Sequence, residues 1–220
     1  MKFPNRRYSP DERRSIAFFR PETRGDFYFG GIVLGKKTKF KNKAAKITVS
    51  GVLAAMGVVL ALLRFPIFPA VPFYEMEFSD FPVLISAFLS GPVYGLGTLF
   101  VICLIQALTV SAGSGIIGFV MHFVASGCMV LAVYFVRTAI KNNRGIAVSS
   151  LVGAGVMTLI MIPMNIWLTT VFMNLPPKEF LSLYLVYCII FNLIKSISNI
   201  TVFYMVFPLV NKQVKRYIKV

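Results

Sequence analysis

Negative charge is scarce in this chain. Eight Asp and Glu stand against 23 Lys and Arg in 220 residues, a formal net charge of +15. Histidine is scarcer, with one residue, and cysteine stops at three. Each shortage excludes something. Cys103, Cys128 and Cys188 lie inside apolar runs, are too few for a disulfide framework, and show no CxxC spacing for a metal. They read as small apolar packing residues. A lone His122, without a carboxylate pair or a Ser/His/Asp set, offers no catalytic constellation. The chain is therefore not read as an enzyme, and neither a metal site nor a cofactor is expected. The first 30 residues lack the apolar core that a cleavable signal peptide needs.

Apolar residues, by contrast, are abundant. They make up 57% of the chain, and the mean hydropathy is +0.75. So large an apolar fraction and so basic a surface conflict in a soluble protein. Segregation of the charge along the chain removes the conflict. Runs longer than about 18 apolar residues can span a bilayer, and the chain reads as an all-α integral membrane protein.

Residues 1–45 form a basic arm, expected to be mobile or only locally helical, with Pro4, Pro10 and Pro21 interrupting it. Residues 46–210 are the membrane domain, and residues 211–220 a basic tail. The first span runs from Ile47 to Leu63. A Pro- and aromatic-rich loop, Phe65 to Ser79, follows it. Phe81 to Val110 is a run of 30 uncharged residues. Gly91-Pro92 and Gly95 predict a break after Ser90, hence two short spans sheltered by their neighbours. Further spans are expected at about Gly115–Val136, Ile146–Phe172 and Phe180–Val210, with Pro163 kinking the fifth. Six spans put both termini and 20 of the 23 basic residues on one side. The positive-inside rule prefers that arrangement, with N- and C-termini cytoplasmic in the plasma membrane.

Lys195 is the sharpest feature, because it lies mid-way along the last apolar run. A charge there costs at least about 2.5–3.5 kcal/mol on insertion scales, so it should face a cavity or a partner. Asn192 and Asn199 fall on the same helical face, with Ser196 beside them. Asn165 is a further polar group at membrane depth. The sequence offers no intramembrane acid to pair with Lys195, which suits a ligand carrying several acceptors. A purely structural interhelical network is the competing reading. His122 reads as a packing residue with a local hydrogen bond, or as a ligand contact. Ser79 or Asp80 reads as a helix N-cap with Pro82 in the first turn. Glu75 and Glu77 read as solvated, or as a gate at the outer mouth. In the first span Ser50/Ala54, Gly51/Ala55 and Gly57/Ala61 place small residues one turn apart. Such ridges let a helix of this chain or of another subunit approach closely. The segment Gly30 to Thr38 almost spells a phosphate-binding loop, but Lys37 stands where Ser or Thr must hold Mg²⁺, so ATP binding there is not expected.

The ordered set Phe65-Pro66-Ile67-Phe68-Pro69, Met76-Glu77-Phe78-Ser79-Asp80-Phe81-Pro82 and Gly91-Pro92-Val93-Tyr94-Gly95 resembles the S-components of energy-coupling factor (ECF) vitamin transporters. Gly115 to Phe123, with His122, and the closing Phe191-Asn192-Leu193-Ile194-Lys195 resemble the riboflavin-specific branch. The resemblance covers about residues 46–210 and includes the six-span count. It implies a substrate-capturing subunit of an importer that binds riboflavin at the outer face, beneath the loop between the first two spans. The partners it implies are a transmembrane coupling subunit and two cytoplasmic ATPases, with ATP used only by them. Carried onto this chain, the flavin contacts fall on Asn192 and Lys195, with Asn165, and the docking surface on Gly51, Ala54 and Ala55.

The chemistry of a flavin fits such residues. Its ring presents carbonyl and nitrogen acceptors and one N–H, which Asn and Lys can answer. His122 is set beside them as a further ligand contact, and the aromatic loop (Phe65, Phe68, Phe73, Tyr74) with Trp167 is expected to cover the apolar ring edges. An S-component for another small vitamin or precursor, or a membrane scaffold pairing through the polar face, are the alternatives. The lysines of the arm are expected to set topology and touch anionic membrane lipids, and no nucleic-acid partner is expected.

Overall fold

The structure, a computed structural model, describes residues 26–29, 32–36, 42–142, 144–174 and 176–217. Within the arm, β1 (Asp26–Phe29) and β2 (Ile32–Lys36) pair antiparallel. The sequence expectation for the arm is a mobile or only locally helical segment. Phe27, Tyr28, Phe29, Ile32 and Val33 are instead aromatic and β-branched residues that favour strand. The rest of the arm, including Lys37, Lys39 and Lys41 and part of the segment resembling a phosphate loop, lies outside the described residues.

α1 (Lys43–Leu62) starts where the Asn42 side chain accepts a hydrogen bond from the Ala44 N–H at 3.0 Å, a conventional N-cap. The Pro-rich connection that follows folds back on itself through a two-residue pair, β3 (Phe65–Pro66) with β4 (Glu75–Met76). α2 (Asp80–Ser90) comes next, then α3 (Pro92–Leu108). The break after Ser90 is present. Gly91 sits at φ 115, a conformation that penalises any residue with a Cβ. Gly95 lies so close to α2 that a Cβ there would come within 2.6 Å of the Ala87 Cβ.

α4 (Gly115–Ala139) and α5 (Arg144–Met164) pack along each other. Proline cannot donate to the carbonyl one turn back. Just after Pro163 the chain widens into a π turn, Asn165–Thr169, before α6 (Thr170–Met173). The Asn165 amide donates to the Met161 carbonyl at 2.8 Å across this irregular turn. Asn174 then ends the helix in the left-handed region, φ 52. α7 (Pro177–Leu183) and the long α8 (Leu185–Tyr217) complete the chain.

Four helical segments are long and apolar enough to cross a membrane: Lys43–Leu62, Gly115–Ala139, Arg144–Met173 and Leu185–Val214. α2 and α3 are shorter. At about 1.5 Å per residue α2 extends about 16 Å, against a hydrocarbon core of about 30 Å. Burial makes the short helix tolerable, because all eleven of its residues are enclosed by α1, α3, α4 and α8. Its interior neighbours include Leu99, Ile102, Met129, Val133, Ile200 and Phe203. Ser50, Ser86 and Thr98 tie α1, α2 and α3 together through hydroxyl contacts of 2.9 Å. Outward faces carry Val52, Leu104, Leu151, Leu159 and Met205, a surface suited to lipid rather than water.

Candidate ligand-binding site

A cavity of about 430 Å³ opens among α3, α4, the π turn, α8 and the loop after α1. Its walls are mostly apolar. Met121, Met157, Met161, Phe119, Phe172 and Phe191 face it. Polar groups join them from α3, α4, the π turn, α8 and the loop after α1.

Lys195 is supplied by α8, and its ammonium donates to Glu77 Oε1 at 2.9 Å. The expectation that no acid pairs with Lys195 is therefore wrong. Glu77 is also not solvated, being 3% exposed. Hydropathy had placed it in an outer loop. The β3–β4 pair instead turns that loop inward and delivers Glu77 into the bundle. Asn199 holds it there, donating to the Glu77 carbonyl at 3.0 Å and accepting from the Phe81 N–H at 3.2 Å. Asp80 makes no cap of its own. It is the first residue of α2, fully buried, with Oδ1 3.2 Å from His122 Nε2. Ser79 occupies the N-cap position without a side-chain cap bond. A carboxylate at a helix N-terminus is nevertheless favoured by the helix dipole.

Gln106, the lone strongly polar side chain in α3, completes the cluster. It donates to Glu77 Oε2 at 2.7 Å and faces His122 Nδ1 at 2.8 Å. Near the mouth Arg64 pairs with Glu75 at 2.8 Å and donates to Ser111 Oγ at 3.0 Å and to the Val110 carbonyl. This fastens the loop after α1 to the α3–α4 connection. Asn165 presents Oδ1 to the Tyr74 hydroxyl at 3.3 Å and to Thr169 Oγ1 at 3.0 Å.

Of the residues singled out from the sequence, Lys195, His122, Asn165 and Tyr74 line the cavity. Asn192 and Phe68 do not. Asn192 is fully buried behind Lys195, its amide turned to the Cys188 carbonyl at 2.8 Å. Phe68 packs edge-on against Tyr187, with ring centroids 5.5 Å apart. Phe73 reaches the cavity, but Phe65 is 51% exposed and Trp167, on the π turn, 73%. Neither can cover a ligand ring from there. On α1, Ala54 faces inward with Ser50, Gly57 and Ala61, whereas Gly51 and Ala55 face out. The ridges thus serve a partner helix within the chain, and one exposed pair remains. The Lys195 face of α8 is enclosed within the protein, so it is no free surface for pairing with another subunit. Glu77, read from sequence as solvated or as an outer gate, and Gln106 and Arg64, not singled out as ligand contacts, also line the cavity. The rarity of acids and amides in so apolar a chain was the signal available for Glu77 and Gln106.

The family model for the ECF transporter substrate-specific component matches residues 45–207. The chain belongs to that family. It is a substrate-specific membrane component of an ECF transporter. The S component of a bacterial ECF transporter, a solved structure, shares its fold with a TM-score of 0.69 at 24% identity, covering 79% of this chain and 99% of that one. Among relatives, the riboflavin transporter FmnP of Bacillus subtilis is 32% identical over 125 residues, which are 56% of this chain and 65% of that protein. That match thus spans just under two thirds of the relative's length. The riboflavin transporter RibU of Streptococcus thermophilus is 27% identical over 176 residues, 78% of this chain and 82% of that protein. RibU of Staphylococcus aureus is 29% identical over 167 residues, 76% and 79% of the two chains.

Proposed function

We propose that this S component captures riboflavin in the cavity between α3, α4, α5 and α8 and delivers it inward after docking on an ATP-driven coupling module. The observation that carries this reading is that one cavity is lined both by Met and Phe side chains and by the polar groups of Glu77, Gln106, His122, Asn165 and Lys195. Its volume of about 430 Å³ falls in the usual range for small-molecule sites, about 300–1,000 Å³. A flavin has the matching division. Its dimethylbenzene edge is apolar, and its pyrimidine edge carries carbonyl acceptors and an N–H. Asn165, Lys195, His122 and Tyr74 are the contacts we assign, with Gln106 and Glu77 added from their position. The riboflavin transporters among its relatives support the same ligand.

The membrane arrangement that goes with this reading has six crossings with both termini cytoplasmic, α2 and α3 forming two short ones, of which α2 is enclosed by its neighbours. The outward pair Gly51 and Ala55 is the proposed contact for a transmembrane coupling subunit, which in turn engages two ATPases. Analysis of the small molecule extracted from the purified protein tests the ligand. Riboflavin is expected, and a different vitamin recovered in stoichiometric amount would replace it.

A further inference from the structure

α2 starts without a cap of its own. Its first residue is Asp80, and Ser79 before it makes no side-chain cap bond. The first N–H groups of a helix have no partner inside it. Phe81 is buried, so its N–H must be answered from another element. The answer comes from α8. Asn199 Oδ1 accepts from the Phe81 N–H at 3.2 Å. An N-cap side chain makes this bond to the second residue of its own helix. Here it is supplied from 118 residues away.

The other end of the same amide is equally committed. Asn199 Nδ2 donates to the Glu77 carbonyl at 3.0 Å, and to the Lys195 carbonyl one turn back on α8 at 3.0 Å. Three backbone groups thus define the orientation of this side chain. A backbone N–H only donates and a backbone carbonyl only accepts, so turning the amide over would break all three contacts. The orientation holds whatever the ionisation of the neighbouring side chains. Glu77 and Phe81 are four residues apart, and in a continuous helix the Phe81 N–H would donate to the Glu77 carbonyl. Asn199 stands between them as a substitute peptide group. It takes the N–H with one atom and gives a hydrogen to the carbonyl with another.

We propose that Asn199 is a positioning residue, which ends α2 at Asp80, pins the Glu77 backbone to α8, and so fixes where the Glu77 side chain stands on the cavity wall. Asn199 is itself fully buried and is not part of that wall. Residues 77 and 78, just outside the helix, are not helical. Lys195 and Asn199 lie one turn apart on one face of α8. The residue that meets the Glu77 side chain and the residue that holds its backbone are therefore carried by one rigid element.

The use of riboflavin as a probe rests on the proposed function, but the tether does not. Hydrogen exchange of the purified, ligand-free protein, resolved to the Phe81 amide by fragmentation of the labelled peptide, reads the tether directly. In the wild type that amide should exchange at least about a hundredfold more slowly than in Asn199→Ala. The amides of Met129 and Val133, in the interior of the bundle, should exchange alike in both proteins, which separates loss of the tether from general loosening. Equal protection of Phe81 in the two proteins would overturn the proposal, even in a protein that binds riboflavin. Release of Phe81 in the variant of a chain with no affinity for riboflavin would uphold the tether and remove the proposed ligand. Asn199→Ser, too short to span the gap, should behave as Asn199→Ala does and replaces it if that variant does not fold. Should neither fold, the wild type still decides. A Phe81 amide exchanging as fast as those of the exposed Phe65 and Phe73 would contradict the tether, and a protected one would support it.

Binding then shows whether Asn199 acts through Glu77. Asn199→Ala should weaken riboflavin about tenfold. In a Glu77→Ala background the same substitution should cost less than about twofold, because the side chain it positions is gone. Equal losses in the two backgrounds would make Asn199 a purely structural residue and sink its role at the site.

Discussion

The same three helices build two different interiors. Near the cavity, α2 contributes Asp80, α4 His122 and α8 Lys195. Two to three turns further along they contribute Phe88, Tyr134 and Phe203, with Phe207 beyond. In that second region the rings meet at centroid distances of 4.9 to 5.8 Å, in tilted and edge-on arrangements. Close packing of this kind holds the helices together without leaving room for a guest. The cavity region trades that packing for methionines, which adapt to a guest's shape, and for charges that must be paired. Stability and ligand recognition are thus assigned to separate levels of the same helices.

Substitutions can break that separation. The largest effect is expected at Lys195. Lys195→Ala strands Glu77 in the bundle, a change that typically costs about 3–5 kcal/mol. Riboflavin affinity should fall at least a hundredfold in a fluorescence titration. Phe203→Ala attacks the other region. Deleting a buried aromatic side chain costs about 3–5 kcal/mol of stability. The thermal midpoint should drop, while the dissociation constant measured well below it should change less than about threefold, since distant sites act nearly independently. If Phe203→Ala weakened binding as much as Lys195→Ala, the two regions would not be separate.

Asn165→Ala removes a polar group from the cavity wall and leaves Tyr74 and Thr169 without their acceptor. A loss of about tenfold in affinity is expected, in keeping with about 1–3 kcal/mol for an unsatisfied buried partner. Asn192→Ala should cost less than Asn165→Ala in the same titration, because Asn192 lies behind the lining. The smallest effect is expected at Ser86→Ala. It cuts the hydroxyl link among α1, α2 and α3, and interhelical hydrogen bonds of this type average about 0.6 kcal/mol. Thermal unfolding should detect it, and the titration should not.

Much of the fold was legible in the sequence because apolar run length and Gly/Pro punctuation are local signals. The break at Gly91, the disturbance at Pro163 and the polar face around Lys195 all follow from residues near one another in the chain. The pairing of Lys195 with Glu77 does not. It joins residues 118 positions apart, and it depends on a loop that folds inward through β3 and β4. Charge next to a Pro-rich loop reads as solvent-facing, and only the three-dimensional path shows otherwise. Asn192 and Asn165 illustrate the same limit. Both are asparagines in apolar helices, yet the π turn aims one at the cavity while the packing of α8 turns the other toward Cys188. Helical periodicity places a residue on a face, but the neighbours decide whether that face meets a cavity or another side chain.

The central claim is that the cavity lined by Lys195 holds the transported vitamin. Titrating the purified protein with riboflavin, and following the flavin fluorescence, tests it most directly. The account predicts saturable quenching at one flavin per chain, lost in Lys195→Ala. Absence of quenching by the wild type at micromolar riboflavin, or unchanged quenching by Lys195→Ala, would contradict it.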